Sequence, residues 1–444
     1  MQFHYQRLPN GLEILGEFMP QSRSVAVGFF VKTGARDERP EEAGVSHFLE
    51  HMVFKGTERR TALDVNRDFD AIGAHYNACT GEETTLFWAA VLPEYLADAL
   101  DILTDILRPS LRQEDFDLEK QVILEEIRMY EDQPMWSAYD QAVTLFFDGH
   151  PLGHRILGTV ESISALSREQ MVEYYHRRYV AGNIVVALAG RFDWAKTVEW
   201  LEKYCGNWPA GEAPRQLLPP QVRPATKTIQ RPQVNQEHMF VLLPAPPATS
   251  EWRYAAEVLA TVLGDDTGSR LYWALIDPGR ADAADMSYHE YQDAGAFFTY
   301  LCCDPQDAAG NLELAMQTIA QAVRDGVQEE EIHQAQSKLA SRLVRGNERP
   351  YGRMRSLGYS WVYLQQYRSL EEELARLRAV QRDQLVALME QNDLEHATIV
   401  ALGPLAELSC GDSEGARGGA AVSASRADPA SNPAQPGFSL RGLP

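Results

Sequence analysis

The two halves of this 444-residue chain run through the same series of segments. Residues 113–116 (QEDF) open a charged helical stretch in the first half, and residues 328–331 (QEEE) open one in the second. A β-branched strand lies near the end of each half, residues 183–190 (NIVVALAG) and 396–403 (HATIVALG). Residues 239–244 (MFVLLP) stand where residues 25–31 (VAVGFFV) stand in the first half. Apolar runs rich in β-branched and aromatic residues read as buried strands. Self-similarity of this kind means two copies of one unit that mixes strands and helices. Length agrees, since 444 residues suit two or three domains. Residues 209–232 hold six prolines and read as a connector. Residues 411–444 are rich in Gly, Ala, Ser and Pro, cannot bury a core, and read as a disordered tail.

Only the first half carries metal chemistry. His47 and His51 are four apart, so on a helix of 3.6 residues per turn both imidazoles leave one face. Glu50 lies one step before His51, beside that face, near an ion held there without having to bind it. A carboxylate so placed in the H-x-x-E-H order can take a proton from a metal-activated water. The same five letters also occur on solvated amphipathic turns. Context favours the helix: Pro40, Glu41 and Glu42 mark an N-terminus, Val45, Phe48, Leu49, Met52 and Val53 supply apolar faces, and Lys55-Gly56-Thr57 ends it.

A catalytic zinc site normally has three protein ligands and one open position. The third candidate lies in residues 119–130. There Val122, Ile123, Ile127 and Met129 form a helical apolar pattern, with Glu119 and Glu126 on one face and Glu125 off it. Charged helix surfaces also carry glutamates, and spacing alone does not choose among the three.

With these features the chain resembles the pitrilysin/insulinase metallopeptidases, which include the mitochondrial processing peptidase. In that family the histidine motif is followed some 75 residues on by a ligand glutamate in an E-x6-E pattern. Here Glu126 follows His51 by 75 residues, with Glu119 upstream. The resemblance extends to Asn77, Ala78, Thr80, Glu83 and Thr85, similar to the family's substrate strand. It extends also to residues 150–163 (HPLGHRILGTVESI), similar to its H-P-L-G…G-T…S-I signature.

The resemblance implies an α+β fold of two homologous units, each an antiparallel sheet packed with helices. It gives a catalytic unit over 1–208 and a homologous, non-catalytic unit over 233–410. It implies one Zn²⁺ per chain on His47, His51 and Glu126, with Glu50 as general base and Glu119 as a supporting acid. Peptide substrate would lie extended along strand 77–88, contacted by Asn77, Ala78 and Thr80. It implies a dimer, either of identical chains or with a related second subunit. The family's R-x6-Y pair in the second half is missing. Arg280 and Tyr288 are eight apart, so Tyr288 is the candidate there, with Arg270, His289 and Tyr291 as further possible substitutes.

A formal net charge of −22 argues against nucleic acid as a partner. Five cysteines without a C-x-x-C suggest neither a disulfide framework nor a thiolate site. The absence of an apolar signal core, a transit segment or a membrane-length apolar run leads to the expectation of a cytoplasmic protein without membrane attachment. The function expected is a zinc-dependent endopeptidase acting on unfolded peptides. The alternative is a non-catalytic or partner-dependent scaffold subunit of the same fold.

Overall fold

The computed structural model describes residues 2–394 and 396–408; the expected tail at 411–444 lies outside them. The described strands form two sheets. The first half gives β1 (Gln2–Arg7), β2 (Glu13–Phe18), β3 (Val25–Val31), β4 (His75–Thr80), β5 (Thr85–Val91) and β6 (Ile184–Gly190), in the order β1-β2-β6-β3-β5-β4. The second gives β7 (Ala225–Gln230), β8 (Glu237–Ala245), β9 (Ala283–Glu290), β10 (Gly295–Cys303) and β11 (Thr398–Gly403), in the order β7-β11-β8-β10-β9. The repeat therefore holds for five strands, β7-β11-β8-β10-β9 answering β2-β6-β3-β5-β4, and β1 is the additional strand of the first half. Pairing is antiparallel except between β2 and β6 and between β7 and β11, which are parallel. The central strands β3 and β8 owe their apolar runs to burial on both faces.

The halves are not independently packed. Helix Pro134–Phe146 of the first half lies on β8 and β11, where Ala138, Ala142, Val143 and Phe146 meet Phe240, Leu242 and Leu402. Helix Pro350–Leu364 of the second half lies on β3 and β6, where Met354 and Leu357 meet Ala26, Phe30 and Ala187. Each helix begins with proline at its first turn, where the missing N–H costs nothing. The second contact is close enough that a Cβ on Gly358 would stand 2.1 Å from the Phe30 ring. Arg353 on that helix is buried against Glu17 of β2 at 2.6 Å.

Two expectations need correction. The proline-rich connector contains a strand, β7, recruited because β11 offers it a free edge. The expected apolar pattern around Glu119 is only half internal: Ile123 and Ile127 are buried, but Val122 and Met129 point to solvent at 46% and 52% exposure. Among the described residues no helix is long and apolar enough to cross a membrane.

Candidate active site

The histidine motif sits on helix Val45–Val53. Pro40–Glu42 forms a separate 3-10 turn ahead of it, and the helix starts after Gly44, whose φ of 91° suits glycine. A Cβ on Gly44 would also lie 2.7 Å from the Leu157 carbonyl oxygen. The HPLG…GT segment is thus packed against the start of this helix. Glu38, which sequence reasoning missed, closes the same end. Its carboxyl accepts hydrogen bonds from the Gly44 and Ser46 amides, both at 2.7 Å. Burial pushes Glu38 up to about 8, against the pull of these two amides. Nothing in the sequence sets it apart from its acidic neighbours Asp37, Glu41 and Glu42.

Helix Gln113–Glu131 brings Glu119 and Glu126 to the histidines. The carboxylate of Glu126 stands 3.9 Å from His47 Nε2 and 3.7 Å from His51 Nε2. Ligand atoms of these three residues all lie within 4.8 Å of one another. A tetrahedral zinc site with bonds near 2.0–2.1 Å has ligand–ligand edges of about 3.4 Å, so the trio fits the ion with small adjustment. Glu119 meets the other nitrogen of His51, Nδ1, at 2.8 Å, and Lys55 at 2.5 Å. That contact leaves Nε2 of His51 free to face the metal position. Glu125 points away, exposed and paired with Arg128.

Electrostatics suit the roles of His47 and Glu119, while His51 and Glu126 are held toward their protonated forms until a cation replaces the proton. Burial, aided by the neighbouring His51, pushes His47 down to about 3, which keeps the imidazole neutral and able to ligate. Burial also acts to lower His51, but the Glu119 bond and the Glu126 and Glu50 charges hold it above its usual value. Burial would raise Glu119, yet its bonds with His51 and Lys55 bring it below the ordinary range. Glu126 is raised by burial, against the pull of His51.

Glu50 is not one of the converging trio. Its Oε2 accepts a 2.5 Å hydrogen bond from the Thr80 hydroxyl. Burial raises its pKa and this bond opposes the rise. Thr80 is therefore joined to the candidate base. The stretch 77–88 is not one strand but a hairpin, β4 and β5, closed by Gly81–Thr84, because Gly81 amide and Thr84 carbonyl bond at 3.0 Å. β4 is one of the two edge strands of its sheet, the one beside the histidine helix. Tyr76 and Ala78 join the core beneath the histidine helix, and Thr80 faces that way through Glu50. Cys79 belongs to the opposite face, under helix Pro350–Leu364. Alternation places Asn77 with Cys79, so Asn77 does not share a face with Ala78 and Thr80.

Tyr288 lies elsewhere, on β9, and its hydroxyl donates to the Pro246 carbonyl at 2.6 Å. It lines a cavity of about 730 Å³ between the halves, together with Glu82 of the β4–β5 turn, His289, Tyr291, Arg253 and Arg355. The cavity does not include His47 or His51. Arg280 does not join it; the arginine near Tyr288 is Arg253, bound to Glu290 at 2.6 Å. Arg270 is engaged by Glu331 at 2.7 Å. A helix start eight residues after a strand gave no sequence signal for Arg253.

Comparison with known proteins gives the family and the fold. The profile described as Insulinase (Peptidase family M16) matches residues 14–160, and that described as Peptidase M16 inactive domain matches 165–339. An uncharacterized zinc protease of Mycobacterium leprae is 33% identical over 408 residues, spanning 90% of this chain and 91% of the relative. A peptidase M16 inactive domain from Pseudomonas fluorescens shares the fold with a TM-score of 0.85 at 17% identity, over 91% of this chain and 98% of that one. A protease from Helicobacter pylori does so at 0.84 and 19%, over 91% and 99%.

Proposed function

Because the chain belongs to the insulinase family, peptidase family M16, we propose that it is a zinc-dependent endopeptidase acting on extended, unfolded peptides. The observation that carries this reading is the meeting of His47, His51 and Glu126 with a second, separately held carboxylate, Glu50. Zinc, when bound, supplies a Lewis acid that acidifies water toward a pKa of about 7 and polarises the scissile carbonyl.

The chain's own residues do the rest. His47 and His51 offer Nε2, and Glu126 offers a carboxylate oxygen. Glu119 orients His51 through Nδ1. Thr80 fixes the Glu50 carboxylate through Oε2, and Glu50 receives the proton of the attacking water. A carboxylate raised by burial is a better base than an exposed one. Glu50 then returns the proton to the leaving amine. The open edge of β4 would hold the peptide as an added strand, by main-chain hydrogen bonds. Such binding needs an unfolded substrate and reads shape before side chains.

Metal content of the purified protein tests the ligand set. About one Zn²⁺ per chain is expected, lost in Glu126→Gln and kept in Glu125→Gln. The reverse pattern would show that the third ligand is misassigned.

A further inference from the structure

Arg355 is a cation held in place without a carboxylate. It leaves helix Pro350–Leu364 and lines the cavity between the halves. Its guanidinium lies 5.8 Å from the centroid of the Tyr351 ring and 5.7 Å from that of Tyr359. Its electrostatic neighbours are those two tyrosines and Cys79, and among the described residues no Asp or Glu makes an ion pair with it. The other arginines of this cavity are already engaged, Arg253 by Glu290 at 2.6 Å and Arg342 by Asp265 at 2.7 Å. Leaving a half-buried charge without a counter-ion is costly, and the two tyrosine faces with one hydrogen bond to Tyr359 recover only part of that cost.

Its position gives the ligand. Cys79, which feels the Arg355 charge, lies on the face of β4 that looks toward helix Pro350–Leu364. Trp88, paired with Asn77 across the hairpin, packs on Tyr351 at 4.1 Å between centroids. A peptide added along β4 would project alternate side chains to the two faces of the sheet. One set would go toward the histidine helix. The other set would go toward Arg355. A planar guanidinium presents paired donors that match a carboxylate.

We propose that Arg355 is a specificity residue that receives a carboxylate of the bound peptide, supplied by an acidic side chain or by the C-terminus. This rests on the strand-addition reading above.

The test uses the full chain carrying Glu50→Gln, so that peptides bind without turnover. Fluorescence anisotropy would follow unstructured peptides in which Glu replaces Gln one position at a time, each with a free and an amidated C-terminus. A Glu at one position should bind roughly tenfold more tightly than Gln, as for a charge-assisted hydrogen bond. If the tenfold difference follows the free C-terminus instead, the carboxylate comes from there. Adding Arg355→Gln should bring the ratio to about one, and Arg355→Glu should shift the preference to Lys. Circular dichroism and zinc content of both variants establish that they are folded. A parent protein blind to every carboxylate, or a folded Arg355→Gln protein with the parent's ratio, would overturn the assignment. Turnover by the unsubstituted chain separates the two readings. Hydrolysis without acid preference removes the role of Arg355 alone. Arg355-dependent binding of acidic peptides without hydrolysis supports the site and removes the peptidase.

Discussion

Glu50, Glu119, Glu125 and Glu126 all crowd near one pair of histidines in the sequence reading, and their neighbours are what separate them. Glu126 is the carboxylate within 4 Å of both Nε2 atoms. Glu119 is tied to His51 Nδ1 and Lys55, and Glu125 to Arg128. Seven-residue spacing was legible in the sequence; which oxygen faces which nitrogen was not, because that depends on how two helices cross. Thr80 shows the same limit. Its place in the strand motif was visible, but its bond to Glu50 requires knowing which face of β4 it occupies. Thr80→Val should lower kcat by about tenfold, the effect of one lost hydrogen bond to the base, with zinc content unchanged. Steady-state kinetics beside metal analysis would check this, and an unchanged kcat would mean that Glu50 needs no such partner.

At the scale of elements, the strands were readable because continuous apolar runs mark two-sided burial, as in β3 and β8. The exchange of helices Pro134–Phe146 and Pro350–Leu364 was not readable. An apolar helix face does not state which sheet will cover it, and here each finds its cover in the other half. β7 escaped notice for a related reason: half-exposed and threonine-containing, it is a strand only because β11 pairs with it. The exchange predicts that the second half stabilises the first. Gly358→Ala would place a methyl group 2.1 Å from the Phe30 ring, on the far face of the sheet from the histidines. It should cost about 1–3 kcal/mol by overpacking, measured by urea unfolding. A cost near zero would show that the helix can move away freely.

For the whole molecule, the buried acids set a pH dependence. Burial raises Glu38 to about 8, Glu82 and Glu290 to about 7, and Asp140 to about 6. Each binds a proton in the folded chain at pH values where the unfolded chain has released it. Stability contributed by these groups is therefore full below their unfolded pKa values and falls as pH rises toward about 8. Self-repulsion at a net charge of −22 acts in the same direction. With zinc chelated, so that metal linkage does not oppose the trend, and above the range where His47 and His289, held neutral in the fold, would gain protons on unfolding, Tm should be higher at pH 7.5 than at pH 9; the opposite order would refute the role of these acids. The open edge of β4 and the exposed Leu118, Val122 and Met129 lead us to propose a homodimer, for which sedimentation should give twice the chain mass. A monodisperse monomer would contradict it and leave the zinc chemistry standing. The most direct test of that chemistry is the rate at which the chain alone, loaded with zinc, cleaves an unstructured peptide, compared with Glu50→Gln. The account predicts measurable hydrolysis that falls by two or more powers of ten in the variant while zinc stays bound. A zinc-loaded Glu50→Gln protein that turns over at the parent's rate, or a zinc-loaded parent that cleaves nothing, would contradict it.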